Sequence, residues 1–232
     1  MNVFDSNQYK AIFFDMDGIF VETEMLHYQA FYDLLKPLGV EMTVEYFYGL
    51  VGVPTSKNFV DIVHDFNLNI DVQEWKKRLS DKILETLSEA EIIPIAGIVE
   101  IIGFARKRGI RLGLVTTSSR HQFEIVINSV RRSKNPLLND HIFDVTVTGE
   151  EVIHKKPCPD PYISAASRLN ISPSACIVLE DSEAGIASAK SAGCYCIARR
   201  TEYNAHMDFS RADWVVSSIL QVAQALPLES PS

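Results

Sequence analysis

Phe13-Phe14-Asp15-Met16-Asp17-Gly18 is the stretch on which the fold turns. It closes the run Lys10-Ala11-Ile12-Phe13-Phe14, mostly apolar and flanked by polar residues, which predicts a short buried β-strand. Two carboxylates follow, two residues apart, and Gly18 then lets the chain turn away. In extended backbone such residues point to the same side, with Cα atoms about 6–7 Å apart. Like charges so placed repel unless a cation or a shared proton lies between them. An acidic strand-to-turn edge is the plain alternative, and a divalent-metal and phosphoryl-transfer site is the sharper one.

Outward from this stretch the pattern changes from strand to helix. Apolar residues at 26, 30, 31, 34 and 35 mark a helical stripe over 22–36, which Pro37-Leu38-Gly39 ends. Residues 46–50, 55–66 and 72–87 read as three more helices, with Ser56 and Asp71 as candidate caps. Residues 21–92 are therefore expected to be an all-helical block inserted after the first strand. From Ile93 the chain alternates: helices over 96–107, 119–132, 159–169 and 184–192 lie between strands over 110–115, 144–148, 176–179 and 194–198. A strand over 214–216 and a C-terminal helix follow, and the tail from Pro227 is expected to fray. Repeated βα units predict an α/β fold with a doubly wound parallel sheet, whose core would comprise 1–20 and 93–232. Such sheets place their sites at the carboxyl ends of the strands.

Composition narrows the function classes. The 232 residues suffice for a substantial core, and 47% hydrophobic with 22% charged residues is ordinary for a globular protein. A formal net charge of −8 argues against nucleic acid or an anionic membrane as partner. The N-terminus shows no signal-peptide pattern and no apolar run reaches a membrane span, so the chain is expected to be cytoplasmic, and a monomer. Cys158, Cys176, Cys194 and Cys196 contain no C-x-x-C pair and are expected to be reduced packing residues. The six histidines show no zinc-binding spacing.

Each polar cluster follows a predicted strand. The strand over 112–115 ends in Thr116-Thr117-Ser118-Ser119, hydroxyls at a helix start where amide N–H groups can hold an anion. One hydroxyl serves as a cap; four exceed that need. The strand near 145–148 leads to His154-Lys155-Lys156-Pro157, where a lysine fixed by a proline could meet a phosphate. The strand over 177–179 ends in Glu180-Asp181-Ser182, acids that suit a helix N-terminus or a metal. Oxygen-only ligands favour Mg²⁺.

These four clusters, in this order, resemble the four motifs of the haloacid dehalogenase superfamily: Asp15-Met16-Asp17-Gly18, Thr116, Lys156 and Glu180-Asp181. The helical block is similar to that family's small cap domain. Glu22-Thr23-Glu24 with His27, and Glu180-Asp181-Ser182-Glu183-Ala184-Gly185-Ile186, resemble the β-phosphoglucomutase-like group of sugar-phosphate phosphatases and mutases. The resemblance implies a Mg²⁺-dependent phosphatase acting on a small phosphorylated metabolite, with Asp15 as nucleophile and Asp17 as acid and base. It implies a metal held by Asp15, the Asp17 backbone carbonyl and Asp181, helped by Glu180. Thr116, Thr117 and Lys156 would bind phosphate, while Thr23 and His27 would face the substrate from the cap. A phosphomutase is the alternative. In β-phosphoglucomutases a cap arginine after a Gly-Val-Ser run grips the distal phosphate, whereas here Gly52-Val53-Pro54 runs into Thr55 with Lys57 the nearest cation. That departure favours hydrolysis. A non-catalytic binding member and a metal-independent dehalogenase are the remaining alternatives, and the full set of catalytic and metal acids argues against both.

Overall fold

A computed structural model describes residues 8–53, 55–133 and 135–227. Its sheet has six strands: β1 (Ala11–Phe14), β2 (Arg111–Val115), β3 (Val145–Val147), β4 (Cys176–Glu180), β5 (Tyr195–Arg199) and β6 (Trp214–Val216). All are parallel, in the order β3-β2-β1-β4-β5-β6. The chain winds outward from β1 to β3, then returns to β4 on the other side of β1. That reversal opens a crevice at the carboxyl ends of β1 and β4.

Between β1 and the rest of the sheet lie α1 (Glu24–Leu35), α2 (Val44–Tyr48), α3 (Thr55–Asp65) and α4 (Val72–Glu89). The other helices are α5 (Ile98–Lys107), α6 (Arg120–Arg131), α7 (Asp160–Arg168), α8 (Glu183–Ala192) and α9 (Ile219–Gln224). No helix among the described residues is long and apolar enough to cross a membrane.

Period-two alternation splits β1 between two cores. Ile12 and Phe14 face α5, α6 and α9, while Ala11 and Phe13 face α7 and α8. Strands buried on both faces read as apolar runs, which is why β1 is apolar throughout. The helical block has its own core, built from residues such as Phe31, Leu35, Phe47, Phe59 and Leu79.

Several element edges depart from the sequence reading, each for a local reason. The first helix starts at Glu24, not at 22; Thr23 occupies its N-cap position without capping, because its hydroxyl donates to Asp17. Thr43 caps α2 by accepting from Tyr46 N at 3.2 Å, which starts that helix two residues early. Ser56 lies inside α3 and is not its cap, whereas Asp71 caps α4 as expected, accepting from Gln73 N and Glu74 N at 2.8 and 3.0 Å. Cys176, Cys194 and Cys196 are buried and unpaired, but Cys158 is exposed, since it sits in the loop before α7. Most of the tail from 227 lies outside the described residues.

The two chain crossings between sheet and helical block run side by side. Val21 bridges Pro94, and Ile95 N donates to Phe20 O at 3.0 Å. Beside them α4 packs on α6, where Ser129 Oγ accepts from Ile92 N at 3.0 Å and donates to Ala90 O at 3.3 Å. Ser129→Ala strands a buried N–H, so urea unfolding should show a loss of about 1–3 kcal/mol. An unchanged midpoint would exclude this serine as the tie between the return crossing and the sheet.

Candidate active site

Strand register alone brings the acids together. Phe14 of β1 aligns with Leu179 of β4, so the next residues, Asp15 and Glu180, emerge as neighbours. Asp15 N donates to Leu179 O at 3.0 Å and continues that ladder. On the other side Phe14 aligns with Leu114, which puts Val115 beside Asp15. Into this gap comes Lys156, buried, before the cis Lys156–Pro157 bond. An ammonium has three donors, and all three are used. Lys156 Nζ donates to Asp15 Oδ1 at 2.6 Å, Glu180 Oε1 at 2.6 Å and Val115 O at 2.9 Å.

Glu180 is fully engaged. Its Oε1 also accepts from Tyr162 OH at 2.6 Å, and its Oε2 accepts from Asp181 N and Ser182 Oγ, both at 3.2 Å. Ser182 caps α8, accepting from Gly185 N at 3.0 Å, so neither acid is spent as a cap. A Cβ at Gly185 would overlap the Glu180 carboxylate, so the helix start must be glycine for the acid to fit. Asp181, also buried, accepts from Tyr203 OH at 3.1 Å, and Asn204 Nδ2 donates to its carbonyl at 2.8 Å.

Asp17 points elsewhere. Its Oδ1 accepts from Thr23 Oγ1 at 2.5 Å and its Oδ2 from Ser118 Oγ at 3.0 Å. The turn that follows the two aspartates needs Gly18, whose φ is +75° and whose Cβ would overlap Asp181 Oδ2. Arg199 at the end of β5 donates to Gly18 O at 2.6 Å and to Glu22 Oε2 at 2.9 Å, which fixes that turn.

Thr116 is buried and accepts from Ser118 N at 3.0 Å, leaving its own proton free to donate. Ser119 is the hydroxyl that caps α6. Thr117 is exposed and lines a cleft of about 370 Å³ beneath the helical block, together with Ser118, Glu24 and His27. Across that cleft His27 Nε2 lies 3.3 Å from Gln122 Nε2 of α6. Lys57 is exposed, pairs with Asp61 at 3.4 Å and does not line the cleft. The sequence therefore located Asp15, Asp17, Thr23, Thr116, Lys156, Glu180 and Asp181, which the fold gathers. It did not single out Ser118, Tyr162, Arg199, Tyr203 or Asn204. Ser118 stood inside a noted hydroxyl run; the others arrive from distant segments and leave no local signal.

The family model for haloacid dehalogenase-like hydrolases matches residues 12–199. The chain belongs to that family. Protein CbbY of Rhodobacter capsulatus is 32% identical over 94% of this chain and 97% of its own length. A phosphorylated carbohydrates phosphatase of Thermotoga maritima is 29% identical, over 79% and 82%. A crystal structure of a CbbY mutant from Rhodobacter sphaeroides, in complex with xylulose-1,5-bisphosphate, superposes with a TM-score of 0.77 at 29% identity, covering 95% of this chain and all of that one. In this chain Asp15, Thr116 and Asp181 follow or end strands at the carboxyl edge of the sheet.

The electrostatics of the site call for a cation. Oxygens of Asp15, Glu180 and Asp181 lie within 4.8 Å of one another, and Lys156 offsets one of these three charges. Burial pushes Asp15 up to about 7; Lys156 opposes this, while Glu180 and Asp17 add to it. Burial likewise holds Asp181 well above the usual carboxylate range, reinforced by Asp15, Glu180 and Glu24. Burial alone would lower Lys156, but Asp15 and Glu180 outweigh it and keep the ammonium charged. An all-oxygen set with surplus negative charge fits a hard divalent cation.

A raised carboxyl pKa has a defined sign in stability. Between about pH 4 and about 7 the folded chain keeps a proton on Asp15 that the unfolded chain has released. Its contribution to stability therefore falls as pH rises through that window, by up to about 1.4 kcal/mol per unit. Without metal, Asp15→Asn should be more stable than the unsubstituted chain at about pH 8, with the difference vanishing toward about pH 4. Added Mg²⁺ should raise the urea midpoint of the unsubstituted chain and not that of the variant. Equal Mg²⁺ shifts in both would count against this cluster as the cation site.

Proposed function

We propose that this chain is a Mg²⁺-dependent phosphatase that hydrolyses a small phosphorylated metabolite, a sugar phosphate, through an aspartyl-phosphate on Asp15. The observation that carries the reading is the unequal treatment of the two aspartates: Asp15 is gripped by Lys156 among the acids, while Asp17 is turned toward the cap by Thr23 and Ser118. Relatives named as carbohydrate-phosphate phosphatases support the substrate class.

Asp15 and Asp181, with the backbone carbonyl of Asp17, would hold Mg²⁺. Glu180, its oxygens already engaged, would orient Lys156 and the Asp181 amide. When bound, the metal neutralises charge on the phosphoryl oxygens and eases the approach of an anionic nucleophile. Lys156 occupies Asp15 Oδ1, so Oδ2 is the attacking oxygen. It forms a bond to phosphorus as the bond to the ester oxygen breaks, and Asp17 gives its proton to the departing alcohol. Asp17 then takes a proton from water, whose oxygen attacks phosphorus and releases phosphate and free Asp15. The Thr116 hydroxyl and the Thr117 amide would receive phosphoryl oxygens. Residues 21–92 act as the cap that closes over the leaving group, with His27 and Gln122 on opposite walls.

Phosphate release from a panel of sugar phosphates, and from p-nitrophenyl phosphate, is expected with Mg²⁺ and absent after chelation. Asp15→Asn should abolish it, and Asp17→Asn should lower the rate by about 10²–10⁴-fold, the span of general acid–base catalysis. Turnover surviving in Asp15→Asn would remove the nucleophile assignment. Interconversion of glucose 1- and 6-phosphates without net release would replace hydrolysis by mutase chemistry.

A further inference from the structure

Residues 200–209 follow β5 and touch both the acid cluster and the helical block. Their own contacts hold them in shape. Arg200 Nη1 donates to Ala205 O at 3.1 Å and to Met207 O at 3.4 Å, and its guanidinium lies 4.1 Å from the centre of the Phe209 ring. Thr201 N donates to Asn204 Oδ1 at 2.7 Å. Asn204 is buried and ties the loop to the sheet, its Nδ2 donating to Asp181 O at 2.8 Å and to Arg199 O at 3.0 Å. The loop is therefore a platform fixed to the Asp181 backbone.

Tyr203 works from this platform in two directions. It is 7% exposed; its hydroxyl donates to Asp181 Oδ2 at 3.1 Å, and its ring packs on Tyr48, the last residue of α2. Asp181 Oδ1 accepts no hydrogen bond among the described residues, so a cation at the acid cluster and Tyr203 would share one carboxylate. A Cβ on Gly18 would lie 2.6 Å from the Tyr203 hydroxyl, which confines that end of the ring. A phenol is rigid beyond its two torsions. Its hydroxyl cannot follow a moving carboxylate unless the ring also shifts against Tyr48. Elsewhere the helical block meets the sheet at its two crossings and where α4 packs on α6, contacts that do not include Asp181.

We infer that Tyr203 is a positioning residue that makes cation binding at Asp181 and the seating of the cap on the loop after β5 depend on each other. This rests on the phosphatase reading and adds to it a regulation of the same site: the cap seats fully only over a loaded cation. Such coupling is reciprocal, so the seated cap strengthens cation binding by the factor with which the cation favours the seated cap.

Backbone hydrogen exchange and calorimetric titration of the full chain, with Mg²⁺ alone as the probe, test it. Mg²⁺ should slow exchange of the amides of residues 46–52 in the unsubstituted chain. Tyr203→Phe keeps the ring on Tyr48 and removes the hydroxyl from Asp181, so that slowing should be lost. Tyr48→Ala touches none of the hydrogen bonds of Asp181, yet it should weaken Mg²⁺ binding by about fivefold or more. Added to Tyr203→Phe, it should weaken binding no further. Tyr46→Ala removes a ring packed on Phe66 and a hydrogen bond to Asp65, both within the cap, and should leave Mg²⁺ affinity unmoved. It separates coupling from mere loss of cap stability. Equal slowing in Tyr203→Phe, or an affinity indifferent to Tyr48→Ala, overturns the inference while the metal site stands. If the unsubstituted chain binds no Mg²⁺, the metal site falls and the inference with it. If it binds Mg²⁺ but turns over no ester, the phosphatase reading fails, and the exchange and binding data still decide the role of Tyr203.

Discussion

A buried ammonium held between two carboxylates is the constraint on which this site depends. Lys156 joins Asp15 after β1, the end of β2 through Val115 O, and Glu180 at the end of β4. Three central strands therefore finish at one point with fixed spacing. Buried charges persist when they are paired and hydrogen-bonded. The same arithmetic leaves Asp181 without a cationic partner among the described residues. Rigidity and appetite for a cation thus come from one imbalance: three acids against one lysine.

Around that centre the chain gives up local stability to aim its groups. Thr23 sits where a helix N-cap should be, yet its hydroxyl goes to Asp17, so α1 begins without a side-chain cap. An absent cap costs about 1 kcal/mol, offset here by orienting a carboxylate. Tyr203 plays a comparable double part. Its hydroxyl reaches Asp181, and its ring packs against Tyr48 of α2 with centroids 6.2 Å apart. Four residues on, Met207 crowds Gly52, where a Cβ would meet its methyl at 2.6 Å. The loop after β5 therefore touches Asp181 with Tyr203 and Asn204, and the helical block with Tyr203 and Met207.

What could be read from the sequence follows the range of the interactions. Apolar runs and βα spacing specify the parallel sheet, because a strand buried on both faces has nowhere to put a polar residue. Asp15 and Glu180 were visible because each stands at the carboxyl end of an apolar strand, and Lys156 because a proline follows it. Helix edges were missed where a capping hydroxyl had another task, as at Thr23, or where a different one intervened, as Thr43 did for α2. Arg199, Tyr203 and Asn204 were invisible for a different reason. Their meaning lies in the Gly18 carbonyl and Asp181, far away along the chain, and nothing in their own surroundings encodes that contact.

Spent and unspent valence separates the groups that build this site from those left to meet a ligand. Glu180 accepts four hydrogen bonds and Lys156 donates three, so neither has capacity for a new partner without releasing an old one. In this arrangement both hold the neighbouring groups in place. Among the described residues, Thr116 keeps a free proton, Asp15 a free oxygen, Asn58 a free carbonyl and Lys76 a whole ammonium. Asp15 and Thr116 follow β1 and β2 at the carboxyl edge of the sheet, and Asn58 and Lys76 line the cap wall of the cleft. Burying polar groups without partners is costly, and a molecule that supplied the missing halves would relieve that cost.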